Sequence, residues 1–218
     1  DIALNARQVP GALNPNPLFG DYAVGATAPP TGWIRWTGLD GQFVSVTGSD
    51  GGRAVKITAE TSEDVRMSQL LRPSDLGAPE FQPGYYVLDT AATLLAGSLV
   101  GSGVEMALYD TASTYRSSQL VRFAVDAPID ADASLPGAGA IDRVYEWRVF
   151  LDLTAATLGY DFGGILIHAG AHHPTLGDIT ASRAEVRFER VKVRPATADE
   201  TALEDARGVG GAQPRPSE

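Results

Sequence analysis

The sequence predicts an all-β protein, two antiparallel sheets packed as a sandwich. Three observations predict it. Eight segments alternate apolar and polar residues, the period-two pattern of strands buried on one side. Gly (24) and Pro (14) break the chain between them, as turns between short strands require. No internal stretch reads convincingly as a helix, so the strands must cover one another.

The strands follow in order. Residues 53–58 put Val55 and Ile57 on one face. "VRMSQLL" at 65–71 and "YYVLDTAAT" at 85–93 come next. Residues 104–109 set Val104, Met106 and Leu108 on one side, with Glu105 and Tyr109 on the other. Residues 120–125 group Val121, Phe123 and Val125. Residues 145–153 group Tyr145, Trp147, Val149, Leu151 and Leu153 against Glu146, Arg148 and Asp152. Residues 165–168 form a short apolar strand, and 184–193 close the series. That last strand slips: Ala184, Val186 and Phe188 share one parity, Val191 and Val193 the other. A β-bulge near Glu189 and Arg190 would return both sets to the core. The connections "GSDGG" (48–52), "QPG" (82–84), "GSG" (101–103) and "LPGAG" (135–139) are turn sequences.

After the last strand the composition changes. Thr197 with Glu200 three residues on is a capping box, predicting a short helix from Ala198 that Gly208 would end. "VGGAQPRPSE" then reads as a flexible tail. The predicted organisation is a lead-in at 1–13, a β module at 14–195, and a short helix with flexible tail at 196–218.

Composition narrows the function. A net charge of −10 and no Lys/Arg cluster argue against nucleic-acid binding. The absence of cysteine excludes disulfides, thiolate metal sites and Cys nucleophiles. No apolar run approaches the roughly 20 residues of a membrane span, so no membrane insertion is expected. The chain opens on Asp1 rather than Met, the expectation for a processed chain or a fragment.

Several motifs occur in a telling order: "NPNPLFGDY" (14–22), Gly32-Trp33, "MSQLL" (67–71), "QPGYYVLDTAAT" (82–93) and "VEMALYD" (104–110). The set resembles the jelly-roll carbohydrate-binding modules of the galactose-binding-like class, over about residues 14–193. The resemblance implies a β-jelly-roll sandwich in which the opening segment clamps the fold. Prolines hold it extended, and Leu18 and Phe19 enter the core. It also implies a structural calcium, held in many relatives by a Glu directly after the opening Phe and an Asp in the last strand. Here Gly20 follows Phe19, Asp21 comes one place later, and the last strand carries Glu189, so Asp21 and Glu189 are the candidate ligands.

The ending "ERVKVRPATADETAL" (189–203) looks like modules of phage tail fibres and virion spikes. That likeness implies a non-catalytic adhesion or structural module at the surface of a virion or extracellular particle. Its partners would be cell-surface polysaccharide and other particle proteins, with room for a homo-oligomer. A protein-docking spacer in the particle and an accessory carbohydrate-binding module of a secreted glycan-degrading enzyme are the alternatives.

Catalysis finds little in the sequence. No Gly-x-Ser-x-Gly elbow exists, and Ser98 and Ser102 lie in a Gly-rich turn. Glu105, Asp110, Glu146 and Asp152 occupy polar strand faces, with nothing pairing them as a glycosidase requires. His168, His172 and His173 with Asp178 offer metal-ligand types, but their spacing suits a helix better than a strand end. Sugar recognition needs an aromatic platform and hydrogen-bonding neighbours. Trp33 and Trp147 read as core. Trp36, Tyr115, Arg116 and His168 are the candidate ligand residues.

Overall fold

The computed structural model describes residues 18–60, 63–71, 85–99, 102–109, 115–122, 141–152, 162–170, 172–173, 177–178, 183–207 and 215–216. The Asn-Pro repeat before Leu18, the turns at 82–84 and 135–139, residues 123–125, Leu153, Asp110, Tyr160 and Gly208 lie outside them. The strands are β1 (Trp33–Thr37), β2 (Phe43–Thr47), β3 (Arg53–Ala59), β4 (Asp64–Leu71), β5 (Tyr85–Gly97), β6 (Gly103–Tyr109) and β7 (Tyr115–Arg122). They continue as β8 (Val144–Asp152), β9 (Phe162–Gly170), β10 (His172–His173), β11 (Gly177–Asp178), β12 (Ala184–Pro195) and β13 (Arg215–Pro216), with helix α1 at Ala198–Arg207 before β13.

A five-stranded sheet runs β1-β4-β9-β6-β7, and a six-stranded sheet runs β13-β8-β5-β12-β3-β2. Every pairing is antiparallel. Hairpins β2–β3 and β6–β7 stay within a sheet, whereas the successions β3 to β4, β4 to β5 and β5 to β6 each change sheets. The core is thus shared: Val55, Leu88, Val186 and Val193 from one sheet meet Val65, Met67, Ile165 and Ile167 from the other. The predicted antiparallel sandwich is what forms.

Of the predicted opening clamp, Phe19 enters the core, while Leu18 is only partly buried. Phe19 is fully buried, its ring 5.5 Å from that of Trp33. Its backbone takes a φ of 52°, a left-handed conformation unusual for a bulky residue. The N–H of Tyr22 donates to the Phe19 carbonyl at 3.0 Å, closing the turn. Burial pushes the Tyr22 hydroxyl up to about 12.

The slip in the last strand is a bulge. Phe188 lies opposite Ala92 and Arg190 opposite Ala91, so Glu189 is the extra residue. Val186 and Phe188 before it and Val191 and Val193 after it are all fully buried. The Thr90 hydroxyl donates to the Arg190 carbonyl at 3.0 Å across the irregularity. Thus one inserted residue lets two opposite parities fill a single core.

The turn at 48–52 closes by the Gly48 N–H donating to the Gly52 carbonyl at 2.9 Å, and the Gly52 N–H donates to Asp50 Oδ1 at 2.8 Å. At the far end of β5, Gly97 has a φ of +77°. A Cβ there would overlap the Arg183 carbonyl oxygen, so only glycine fits.

Other elements depart from the sequence pattern. β1 and β2 are strands, each five residues long. β7 spans Tyr115–Arg122 rather than 120–125, which puts Tyr115 and Arg116 in a strand. Arg215 and Pro216 of the tail pair with Arg148 and Trp147 on the edge of β8.

Candidate ligand surface

The outer face of the five-stranded sheet is defined by alternation. In β9, Ile165, Ile167 and Ala169 are buried in the core, so Leu166 and His168 take the opposite face. In β4, Val65 and Met67 are core, so Arg66 and Ser68 are outward by register. In β6, Val104 is core and pairs with Ile167, so Gly103, Glu105, Ala107 and Tyr109 fall on the outer positions.

Reading across the strands, Thr37 lies opposite Arg66, Arg66 opposite His168, His168 opposite Gly103, and Gly103 opposite Arg122. The adjacent outward row is Ile34, Ser68, Leu166, Glu105 and Leu120. β1 is the edge strand, and its register shifts between Arg35 and Thr37, leaving Trp36 as the bulged residue. Bulges re-aim side chains. Here the result is Trp36 at 52% exposure beside Ile34 at 48%. The bulge is braced: Thr37 Oγ1 accepts from the Arg66 N–H at 3.1 Å, and Arg35 forms an ion pair with Asp40.

Ser68 stands opposite Ile34 in this register. It is 1% exposed, and among the described residues its hydroxyl has no hydrogen-bond partner. A buried hydroxyl without a partner is uncommon and marks unmet polar capacity.

The four predicted ligand residues all lie on this one sheet, but they do not meet. Trp36 and His168 share one end. Tyr115 pairs with Tyr109, and Tyr109 with Phe162, six positions along β9 from His168. That is about 20 Å at ~3.4 Å per residue. Arg116 is the extra residue where the β6–β7 register shifts between Leu108 and Tyr109. Ile34, Arg66 and Ser68 are the positions that sequence reasoning missed. The signal was the alternation in "WIRWT" between Gly32 and Gly38.

The histidine cluster resolves into separate pieces. His168 ends within β9, while His172 lies opposite Asp178 in the two-residue ladder of β10 and β11. Among the described residues no group of three His, Asp or Glu side chains could hold a metal.

Glu189, the calcium candidate of the last strand, is surrounded by donors. Oε2 accepts from the Ser49 N–H at 2.7 Å and the Ser49 hydroxyl at 2.8 Å. Oε1 accepts from the Thr93 hydroxyl at 2.7 Å and from Arg187 Nε at 2.9 Å, and Arg187 Nη2 lies 2.8 Å away. Burial alone raises its pKa, but hydrogen bonds from Thr93, Ser49 and Arg187 outweigh that and hold it below the usual carboxylate range. A calcium site needs converging oxygen acceptors. Here N–H and O–H donors converge, with a guanidinium among them, so the residues around Glu189 do not fit the ion. Asp21, the other candidate, is exposed.

Neither a family model nor a curated protein sequence matches the chain. Solved structures do. One is TmCBM61 in complex with β-1,4-galactotriose, at 12% identity and TM-score 0.45, covering 85% of this chain and 99% of that one. Another is the CBM22-1 xylan-binding domain of Paenibacillus barcinonensis Xyn10C, at 11% identity and TM-score 0.46, covering 81% and 93%. A third is the enzymatically active domain of bacteriophage CBA120 tailspike protein 4, at 10% identity and TM-score 0.48, covering 83% of this chain but 22% of that one. At these identities and TM-scores, what the chain does has to be read from its own residues.

Proposed function

We propose that the chain is a non-catalytic carbohydrate-binding module that takes a polysaccharide on the outer face of its five-stranded sheet. The observation that carries this reading is the half-exposed pair Ile34 and Trp36 on the edge strand. A Trp face suits the apolar side of a pyranose. His168 lies at the Trp36 end of the sheet, with Tyr115 and Arg116 farther along it, positions that would extend contact with a longer chain of sugars. The motif order and the exit into α1 support a setting on a virion fibre or spike, with host cell-surface polysaccharide as ligand. The same face would serve an accessory module of a secreted glycan-degrading enzyme, which a catalytic domain elsewhere in the parent chain would reveal.

A glycan array followed by affinity electrophoresis tests the proposal. Retardation by one or more polysaccharides, lost in Trp36→Ala, is the expected result. Absence of any binding, or binding unaffected by Trp36→Ala, overturns it.

A protein-docking reading draws on the other end of the module. Arg194 grips Glu200 with two bonds, Nη1 to Oε2 at 2.7 Å and Nη2 to Oε1 at 2.6 Å. Glu200 also accepts from the Thr197 N–H at 2.9 Å, and the Thr197 hydroxyl from the Glu200 N–H at 3.2 Å, completing the predicted capping box. The helix therefore leaves the sheet from a braced junction with Leu203 half-exposed. Deleting residues 196–218 would separate the two readings: loss of particle assembly with glycan binding retained would assign docking to this end.

A further inference from the structure

The donors around Glu189 form a single connected unit drawn from three places in the chain. Ser49 comes from the β2–β3 turn, 140 residues away in sequence. Thr93 comes from β5, and Arg187 from β12 itself. Arg187 Nη2 also reaches Thr93 Oγ1 at 3.3 Å. Glu189 is the inserted residue of the bulge, so its carboxylate sits where the strand departs from regular pairing. Its side chain is only 9% exposed and that of Arg187 19%, so water contributes little to neutralising the charge.

We infer that Arg187, Ser49 and Thr93 are a built-in latch on Glu189. The latch ties the bulged strand to the β2–β3 turn and to β5, and does by ion pair and hydrogen bonds what a structural calcium would do in the modules this chain resembles. The bulge at Glu189 therefore keeps its shape without calcium. The chemistry of the donor set carries the inference. A bound divalent ion would require the guanidinium and both hydroxyls to turn away from the carboxylate, and Arg187 would lose the partner that answers its own half-buried charge.

Thermal melting of the full chain at pH 7, in excess calcium and in EDTA, is the first test. The expected result is one midpoint in both, within about 1 °C. A rise of about 5 °C or more in calcium overturns the latch, since an ion bound only to the native state at a hundred times its Kd would produce such a rise. The second test is a double-mutant cycle. Arg187→Gln is expected to lower the midpoint by about 4–8 °C, because it leaves a buried carboxylate short of its cation. Adding Glu189→Gln should recover part of that loss. No loss in Arg187→Gln, or no recovery in the pair, overturns the latch. Where Arg187→Gln does not fold, Arg187→Lys decides, because it keeps the charge but loses the fork. A reduced midpoint supports the latch, and one at or above that of the natural chain overturns it.

Discussion

On the outer face of the six-stranded sheet, charges on neighbouring strands answer one another. Lys56 faces Glu185 at 3.8 Å, Arg148 faces Asp89 at 3.0 Å, and Arg190 faces Glu146 at 3.2 Å. On the five-stranded sheet, the edge strand presents Ile34 and Trp36 to solvent. Both faces belong to one sandwich and one core. The difference teaches where selection for solubility ends and selection for contact begins. Opposed charges across strands are a satisfied, solvated surface. An exposed Trp beside an exposed Ile on an edge strand is an apolar surface open to contact.

The largest expected effect removes what both faces share. Phe19→Ala should destabilise the fold by about 3–5 kcal/mol, the range for a buried Phe, measured by denaturant unfolding. A loss below about 1 kcal/mol would mean that Phe19 is no anchor for Trp33 and β1.

Acid should act on the charged side of the molecule. Arg194 pulls Glu200 down to about 2, and Glu189 is also held low, by hydrogen bonds that outweigh its burial. Both folded pKa values lie below the unfolded one, so their stabilisation is complete above the unfolded carboxylate pKa and is lost as pH falls through the folded values. Unfolding midpoints followed from pH 6 toward roughly pH 2 should fall, and Glu200→Gln should flatten the lower part of that curve. A slope unchanged in Glu200→Gln would remove the Arg194 junction from the account.

Trp36→Ala should leave stability within about 0.5 kcal/mol, as for exposed positions. It should weaken polysaccharide binding at least about tenfold, ~1.4 kcal/mol. Isothermal calorimetry on the glycan found by array, together with a melt, checks both halves. Ser68→Ala probes the interior beneath the same strand pair: deleting a buried hydroxyl that has no partner among the described residues should stabilise the protein by about 1 kcal/mol. A variant that loses stability would show that Ser68 is already satisfied. Lys56→Ala, on the opposite face, should change stability by about 0.5 kcal/mol or less and leave binding untouched.

Much of the fold could be read from residue order. The parity slip at Glu189 required a bulge, because Val191 and Val193 would otherwise face water, and the bulge is there. The capping box at Thr197 and Glu200 formed as its spacing dictates. β1 escaped notice because five residues between glycines carry too few alternations to stand out. The candidate site was legible only in part. Aromatic and basic residue types pointed to Trp36, Tyr115, Arg116 and His168, and all four fall on one sheet. Their separation along that sheet depends on how β6, β7 and β9 pair, which local pattern does not encode.

By itself the sequence determined most of the period-two strands, the turn at 48–52, the bulge and the helix cap, because each follows from interactions between residues close along the chain. Only the tertiary structure decided which strands became neighbours. That pairing set Trp36 out at an edge bulge, left Ser68 without a partner, and brought Ser49 across 140 residues to Glu189. Such contacts depend on burying two sheets against a common core, and burial rewards the arrangement as a whole rather than any segment of it.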